Sequence, residues 1–224
     1  MGNLIRYPYE ATYAQGYLAE PASGAGPGVI VLHAWWGLND FFKEICDRLA
    51  KEGFLVLAPD MYNGKVVKTV EEADQAVGSI DGRENRSRLV AAVDYLKAHP
   101  MHQGDDIGVI GFSMGGAWAL LLSTLYPHAI AAVVVFYATG EGDFSAARAA
   151  YLGHFAPNDE WEPDESVQQL EAALRRAGRD VKFYIYPDTK HWFFEEDRPE
   201  SYDKSSAFLA WERSLDFLRK HLVK

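Results

Sequence analysis

The chain has 224 residues, 48% hydrophobic and 24% charged, a balance that suits one soluble globular domain with a sizeable core. Its 22 basic against 32 acidic residues leave a formal net charge of −10, which excludes the basic stripe that nucleic-acid binding needs and gives no pull on anionic substrates. A single cysteine, Cys46, rules out an intramolecular disulfide and fits a cytoplasmic setting. Cys46 shares an apolar helical face with Phe42, Ile45 and Leu49, which predicts a buried packing residue.

In chain order, residues 3–9 and 11–20 alternate aromatic and β-branched side chains, as an antiparallel pair at a sheet edge does. A Pro/Gly/Ala loop over 21–28 precedes a buried strand at 29–33 and a helix over about 40–51. The next strand covers 54–58 and stops at Pro59. A short acidic helix is predicted over 69–79 and an amphipathic one over 83–98, carrying Leu89, Val90, Val93 and Leu96. An apolar run ends at Gly111 and a helix begins at once after Gly116. Strands at 130–137, about 149–155 and 181–186 follow, with helices at 163–177 and about 203–221. Strands alternating with helices at short spacing predict an α/β fold: a mostly parallel sheet with helices on both faces. No repeat or linker divides the chain, so 1–224 reads as one domain. About a dozen residues join the strands near 135 and 149, which leaves little room there for a large cap.

The amino terminus lacks the apolar core of a signal peptide, and Arg6 breaks the myristoylation pattern. The longest apolar run, 129–138, is too short to span a bilayer. No membrane association is expected, and the chain reads as cytoplasmic.

The chemistry is concentrated in Gly-Phe-Ser-Met-Gly at 111–115, a G-x-S-x-G match set between a strand and a helix. That context makes a nucleophile elbow, with Ser113 on a sharp turn and glycines where side chains would collide. A serine hydroxyl needs a base, and the base needs an orienting carboxylate. Sites in parallel sheets gather beyond the C-terminal ends of strands. His191 follows the strand at 181–186 and Asp159 the one at 149–155, giving the order Ser113, Asp159, His191 of α/β-hydrolases. Glu160, Asp143 and Asp188 compete with Asp159 for the carboxylate's place. His154, inside a strand, reads as a satisfied core histidine, and His99, His102, His128 and His221 read as solvated. The oxyanion donors are expected to be the backbone N–H groups of Met114 and Trp35, the latter in the loop His-Ala-Trp-Trp-Gly at 33–37, where His33 braces the turn.

Five stretches, among them Leu-His-Ala-Trp-Trp-Gly, Pro-Asp-Met-Tyr ending at Tyr62, Gly-Phe-Ser-Met-Gly-Gly and Lys-His-Trp-Phe-Phe, resemble the dienelactone hydrolase family over nearly the whole chain. The resemblance implies an α/β-hydrolase fold without a large cap, no cofactor and no metal, and hydrolysis of esters or lactones by Ser113, Asp159 and His191. It also implies three departures. Ser113 stands where familiar members carry a cysteine, and Ala34 where they carry a glutamate that manages the thiol. Glu195 and Glu196 occupy the region of an arginine that binds a substrate carboxylate.

The sequence therefore predicts a serine hydrolase of small neutral esters or lactones, its pocket walled by Trp36, Tyr62, Trp192 and Phe193 besides Trp35. A thioesterase or small peptidase on the same three residues is the alternative enzyme. A catalytically silent, ligand-binding member of the fold is the alternative of another class. Nothing in the sequence bears on the oligomeric state.

Overall fold

The computed structural model describes residues 1–223; Lys224, the last residue of the expected domain, lies outside the described residues. The chain forms two compact units that meet in sequence at Ile107 and Gly108.

The first unit carries β1 (Asn3–Tyr9), β2 (Thr12–Ala19), β3 (Gly26–Leu32), α1 (Asp40–Lys51), β4 (Leu55–Pro59), α2 (Val70–Gly78), α3 (Gly82–Lys97) and the start of β5 (His102–Phe112). Its strands lie in the order β1-β2-β4-β3-β5. β2 runs antiparallel to both β1 and β4, while β3 and β4 are parallel, with Val29 opposite Val56. Val29 to Leu32 and Leu55 to Ala58 are wholly buried, as strands covered on both faces must be. α1 packs on β2 and β4, and α3 on β1, β3 and β4. Asn39 caps α1 by accepting from the Phe42 N–H at 3.2 Å, and Thr69 with Glu72 forms a capping box on α2. Cys46 is fully buried, and burial pushes its thiol pKa far up, as a packing residue requires.

The second unit continues β5 and adds α4 (Met114–Leu125), β6 (Ile130–Phe136), β7 (Ala150–Phe155), α5 (Asp164–Arg176), β8 (Val181–Ile185) and α6 (Lys204–Leu222). The strand order is β5-β6-β7-β8, with β6–β7 and β7–β8 parallel. α4 and α6 pack on β6, α6 also on β7, and α5 on β8.

Two boundaries differ from the sequence expectation. β3 begins at Gly26, inside the supposed Pro/Gly/Ala loop. A Cβ at Gly26 would strike the Gly53 carbonyl, so this glycine admits the close approach of the turn between α1 and β4. β5 begins at His102, because its first residues, exposed at 103–105, are polar and carry no hydrophobic signal. Of the four histidines expected in solvent, His128 is exposed, whereas His99, His102 and His221 are half-buried. No helix among the described residues is long and apolar enough to cross a membrane.

Candidate active site

β5 ends at Phe112 and α4 starts at Met114, so Ser113 alone makes the turn between them. Its backbone sits at φ +48° and ψ −119°, a conformation that costs an L-residue of order 1–3 kcal/mol. The surroundings hold it there. The Ser113 N–H donates to the Phe136 carbonyl at 3.0 Å, and its own carbonyl accepts from Gly116 N–H at 2.8 Å. A Cβ at Gly111 would run into the Gly115 carbonyl, and one at Gly116 into the Ala138 methyl, so neither position tolerates a side chain without movement. A serine at a helix N-cap ordinarily turns its hydroxyl onto the first-turn amides. Ser113 makes no such bond; its Oγ lies 2.9 Å from Nε2 of His191.

His191 stands in the turn after β8, and its Nδ1 is 2.7 Å from Oδ2 of Asp159, in the turn after β7. A carboxylate only accepts, so Nδ1 carries the ring proton, and Nε2 of the neutral imidazole accepts from the serine. The second Asp159 oxygen takes the N–H groups of Trp161 at 2.9 Å and Glu162 at 3.3 Å, which fixes the carboxylate in its loop. The Asp159 side chain is 1% exposed and that of His191 5%, so water competes little for either bond.

Aromatic rings hold the imidazole. Tyr137 is tilted against it at 54° with centroids 4.8 Å apart, and Trp192 stands perpendicular at 4.9 Å. Both have left-handed backbones, at φ +40° and +66°. The Tyr137 phenol donates to Glu195 Oε1 at 2.7 Å, and burial with that carboxylate nearby raises its pKa well above the usual tyrosine value. Glu162 bonds the hydroxyl of Thr139, and burial raises its carboxyl pKa against the opposing effect of that bond.

The dienelactone hydrolase family matches residues 14–222. The chain belongs to that family. It is 34% identical over 234 residues to the protein usf of Aquifex pyrophilus, covering 100% of both chains. It is 29% identical to a protein of Aquifex aeolicus provisionally named a carboxymethylenebutenolidase, covering 99% of this chain and 100% of that one. Among solved structures, a dienelactone hydrolase-like promiscuous phosphotriesterase from metagenomic libraries superimposes with a TM-score of 0.88 at 26% identity, covering 99% and 98% of the two chains. This dienelactone hydrolase family member is thus a hydrolase by family and has the α/β-hydrolase fold.

Of the residues singled out in the sequence, Ser113, His191 and Asp159 are brought into one hydrogen-bonded chain. The competing carboxylates are not part of it. Asp143 accepts from the Ser145 N–H in its own loop, and Glu160 and Asp188 are exposed. Met114 is the first residue of α4 and half-buried. In the first unit, Trp35 is half-buried and Trp36 is 2% exposed, their rings edge to face at 5.4 Å. Trp36 is therefore interior rather than a wall. His33 braces the loop as expected: Nδ1–H donates to the Ala34 carbonyl at 2.6 Å, and Nε2 accepts the Met61 N–H at 3.2 Å. Tyr62 packs against the His33 ring at 5.2 Å and borders a cavity of about 120 Å³.

Phe193 is a correction. Expected as a pocket wall, it is fully buried with its ring on Tyr137 and Tyr186, because the left-handed residue before it turns Trp192 out and Phe193 in. Glu195 is another: it is 0% exposed and faces Tyr137, whereas Glu196 is exposed. Sequence reasoning missed Tyr137 and Trp161. Tyr137 directly follows the C-terminal end of β6, where parallel sheets build sites. Trp161 lies two residues beyond Asp159 and accompanies it wherever that loop goes.

Proposed function

We propose that this chain is a serine hydrolase that cleaves small carboxylic esters or lactones through an acyl-enzyme. One observation carries the reading: the continuous hydrogen-bonded chain from Ser113 Oγ through His191 to Asp159. Ser113 Oγ attacks the acyl carbon while His191 Nε2 takes the hydroxyl proton, and Asp159 stabilises the resulting imidazolium through Nδ1–H. The oxyanion is held by the backbone N–H of Met114, at the positive end of α4. Collapse of the tetrahedral intermediate breaks the C–O bond to the leaving group, which takes the proton from His191. Water then enters by the same route in reverse, His191 acting first as base and then as acid, and releases the carboxylic acid. Names among the relatives agree with this class: one is a carboxymethylenebutenolidase by provisional name, and one of Bradyrhizobium a 2-oxo-3-(5-oxofuran-2-ylidene)propanoate lactonase, again provisionally.

The serine role is tested with a fluorophosphonate probe and a panel of activated esters and lactones. One equivalent of label on Ser113 is expected, with a loss of at least about a thousandfold in kcat for Ser113→Ala. Full activity in the alanine variant, or labelling at Cys46, overturns it. A panel in which only thioesters or peptides turn over would replace esters as the substrate class.

A further inference from the structure

The loop that carries Asp159 and the turn that carries His191 face each other across a cavity of about 390 Å³, within the usual range of small-molecule sites. Asp159, His191, Trp161 and Trp192 all contribute to its lining. The two indole rings are 6.1 Å apart and inclined at 45°, an open wedge rather than a closed stack. Both rings lie near the imidazole, at 6.4 and 4.9 Å between centroids. Trp161 is 47% exposed. A tryptophan exposed to that extent beside a cavity offers apolar ring surface to a further aromatic group.

The charges around the cavity select what enters. Lys190 and Glu160, both exposed, contribute one charge of each sign to the lining. Asp159 is already committed to His191 and to two backbone amides. Beyond the committed Asp159 the lining thus carries no net charge for an ionic ligand, while its two indole rings suit a flat, neutral group.

Which part of a substrate sits there follows from the esterase reading, on which this inference rests. His191 delivers its proton to the leaving oxygen as the acyl C–O bond breaks, so the departing alcohol lies alongside the imidazole. We infer that the cavity beside His191 is the leaving-group subsite, and that Trp161 and Trp192 make this hydrolase selective for esters of uncharged aromatic alcohols. The acyl group remains on Ser113, and the alcohol leaves neutral through the cavity.

The test compares kcat/KM for benzyl acetate and ethyl acetate, whose leaving alcohols have similar acidity. The unmodified protein should favour the benzyl ester by at least about tenfold, and Trp161→Ala should cut that ratio at least about fivefold, with Trp161→Phe intermediate. The ratio of ethyl benzoate to ethyl acetate, which reads the acyl side, should move less than about twofold in the same variant. An unchanged benzyl preference in Trp161→Ala, or equal collapse of both ratios, overturns the assignment. Benzyl alcohol binding to Ser113→Ala, followed by saturation-transfer NMR with and without Trp161→Ala, separates the two levels. Binding that Trp161→Ala abolishes supports the aromatic subsite even if no ester turns over, an outcome that sinks the esterase reading alone. Absence of binding, or binding indifferent to Trp161, overturns the subsite.

Discussion

The phenol of Tyr137 donates to Oε1 of Glu195 at 2.7 Å, with both residues fully buried. Read in the sequence, Glu195 stands beside the catalytic region as an anion that repels anionic substrates. In the fold it instead anchors the ring that lies on His191. Glu195→Ala removes this acceptor from a buried phenol, at a cost of about 1–3 kcal/mol, or a fall in Tm of roughly 2–12 °C. Glu195→Gln keeps an acceptor oxygen and should lose clearly less. Thermal unfolding checks this, and equal losses in the two variants would show that the hydrogen bond is not the source. The ratio of kcat/KM for a neutral ester to that for its carboxylate analogue should be unmoved in Glu195→Gln.

The elbow makes a steric prediction. Gly111→Ala and Gly116→Ala each place a methyl group inside contact distance, of the Gly115 carbonyl and the Ala138 methyl respectively. Each should destabilise by about 1–3 kcal/mol or more, since neither neighbour can swing away like the end of a long side chain. Gly142→Ala meets nothing closer than Phe144 Cζ at 3.9 Å and serves as the control. Chemical denaturation that finds all three alike would contradict the packing described for the Ser113 turn.

The assignment of the carboxylate partner rests on one bond. Asp159→Asn can no longer hold the imidazole in the tautomer that accepts from Ser113, and kcat should fall by about three to four orders of magnitude with the fold intact. Glu160→Gln, at an exposed position, should change kcat by less than about tenfold. The reverse ranking in steady-state kinetics would reassign the role.

Stability should fall on the acid side of neutrality because of two histidines remote from Ser113 in sequence. His154 is fully buried with both ring nitrogens bonded. Ser214 donates its one proton to the Ala210 carbonyl and so accepts from His154 Nε2–H, which leaves Nδ1 of the neutral ring to accept from the Tyr186 hydroxyl. A second proton would face a donor, and burial lowers the His154 pKa to about 3. His33 is likewise lowered by burial, with the Met61 N–H aimed at its Nε2. A histidine whose folded pKa is depressed contributes stability present above its unfolded pKa, near 6.5, and lost as pH falls toward the folded value. His154 alone should cost about 2 kcal/mol between pH 7.5 and 5. Urea titrations across that range should show a slope shallower by nearly one proton in His154→Gln, and an unchanged slope would refute the assignment.

The alternation of strands and helices was legible because buried parallel strands are continuous apolar runs and the helices between them are amphipathic. Ser113 was legible for a local reason: the glycines at 111 and 116 and the abrupt change from strand to helix all lie within six residues. Positions of His191 and Asp159 after their strands followed from topology alone. Directions of side chains did not, wherever the backbone leaves the regular regions. At Asn158, Trp192 and Tyr137 the φ angle is positive, and one such residue re-aims its neighbours off any period of 2 or 3.6. That is why Phe193 is buried while Trp192, the residue before it, lines the cavity as expected.

By itself the sequence determined the order of elements and the strained turn at Ser113, because these depend on contacts a few residues apart. Tertiary structure alone decided that His191 reaches Ser113 across 78 positions and Asp159 across 32. It alone turned Glu195 onto Tyr137 and set Trp161 in the lining of a cavity. Those outcomes depend on which loops the parallel strands deliver to the same end of the sheet. No local preference of the chain encodes that.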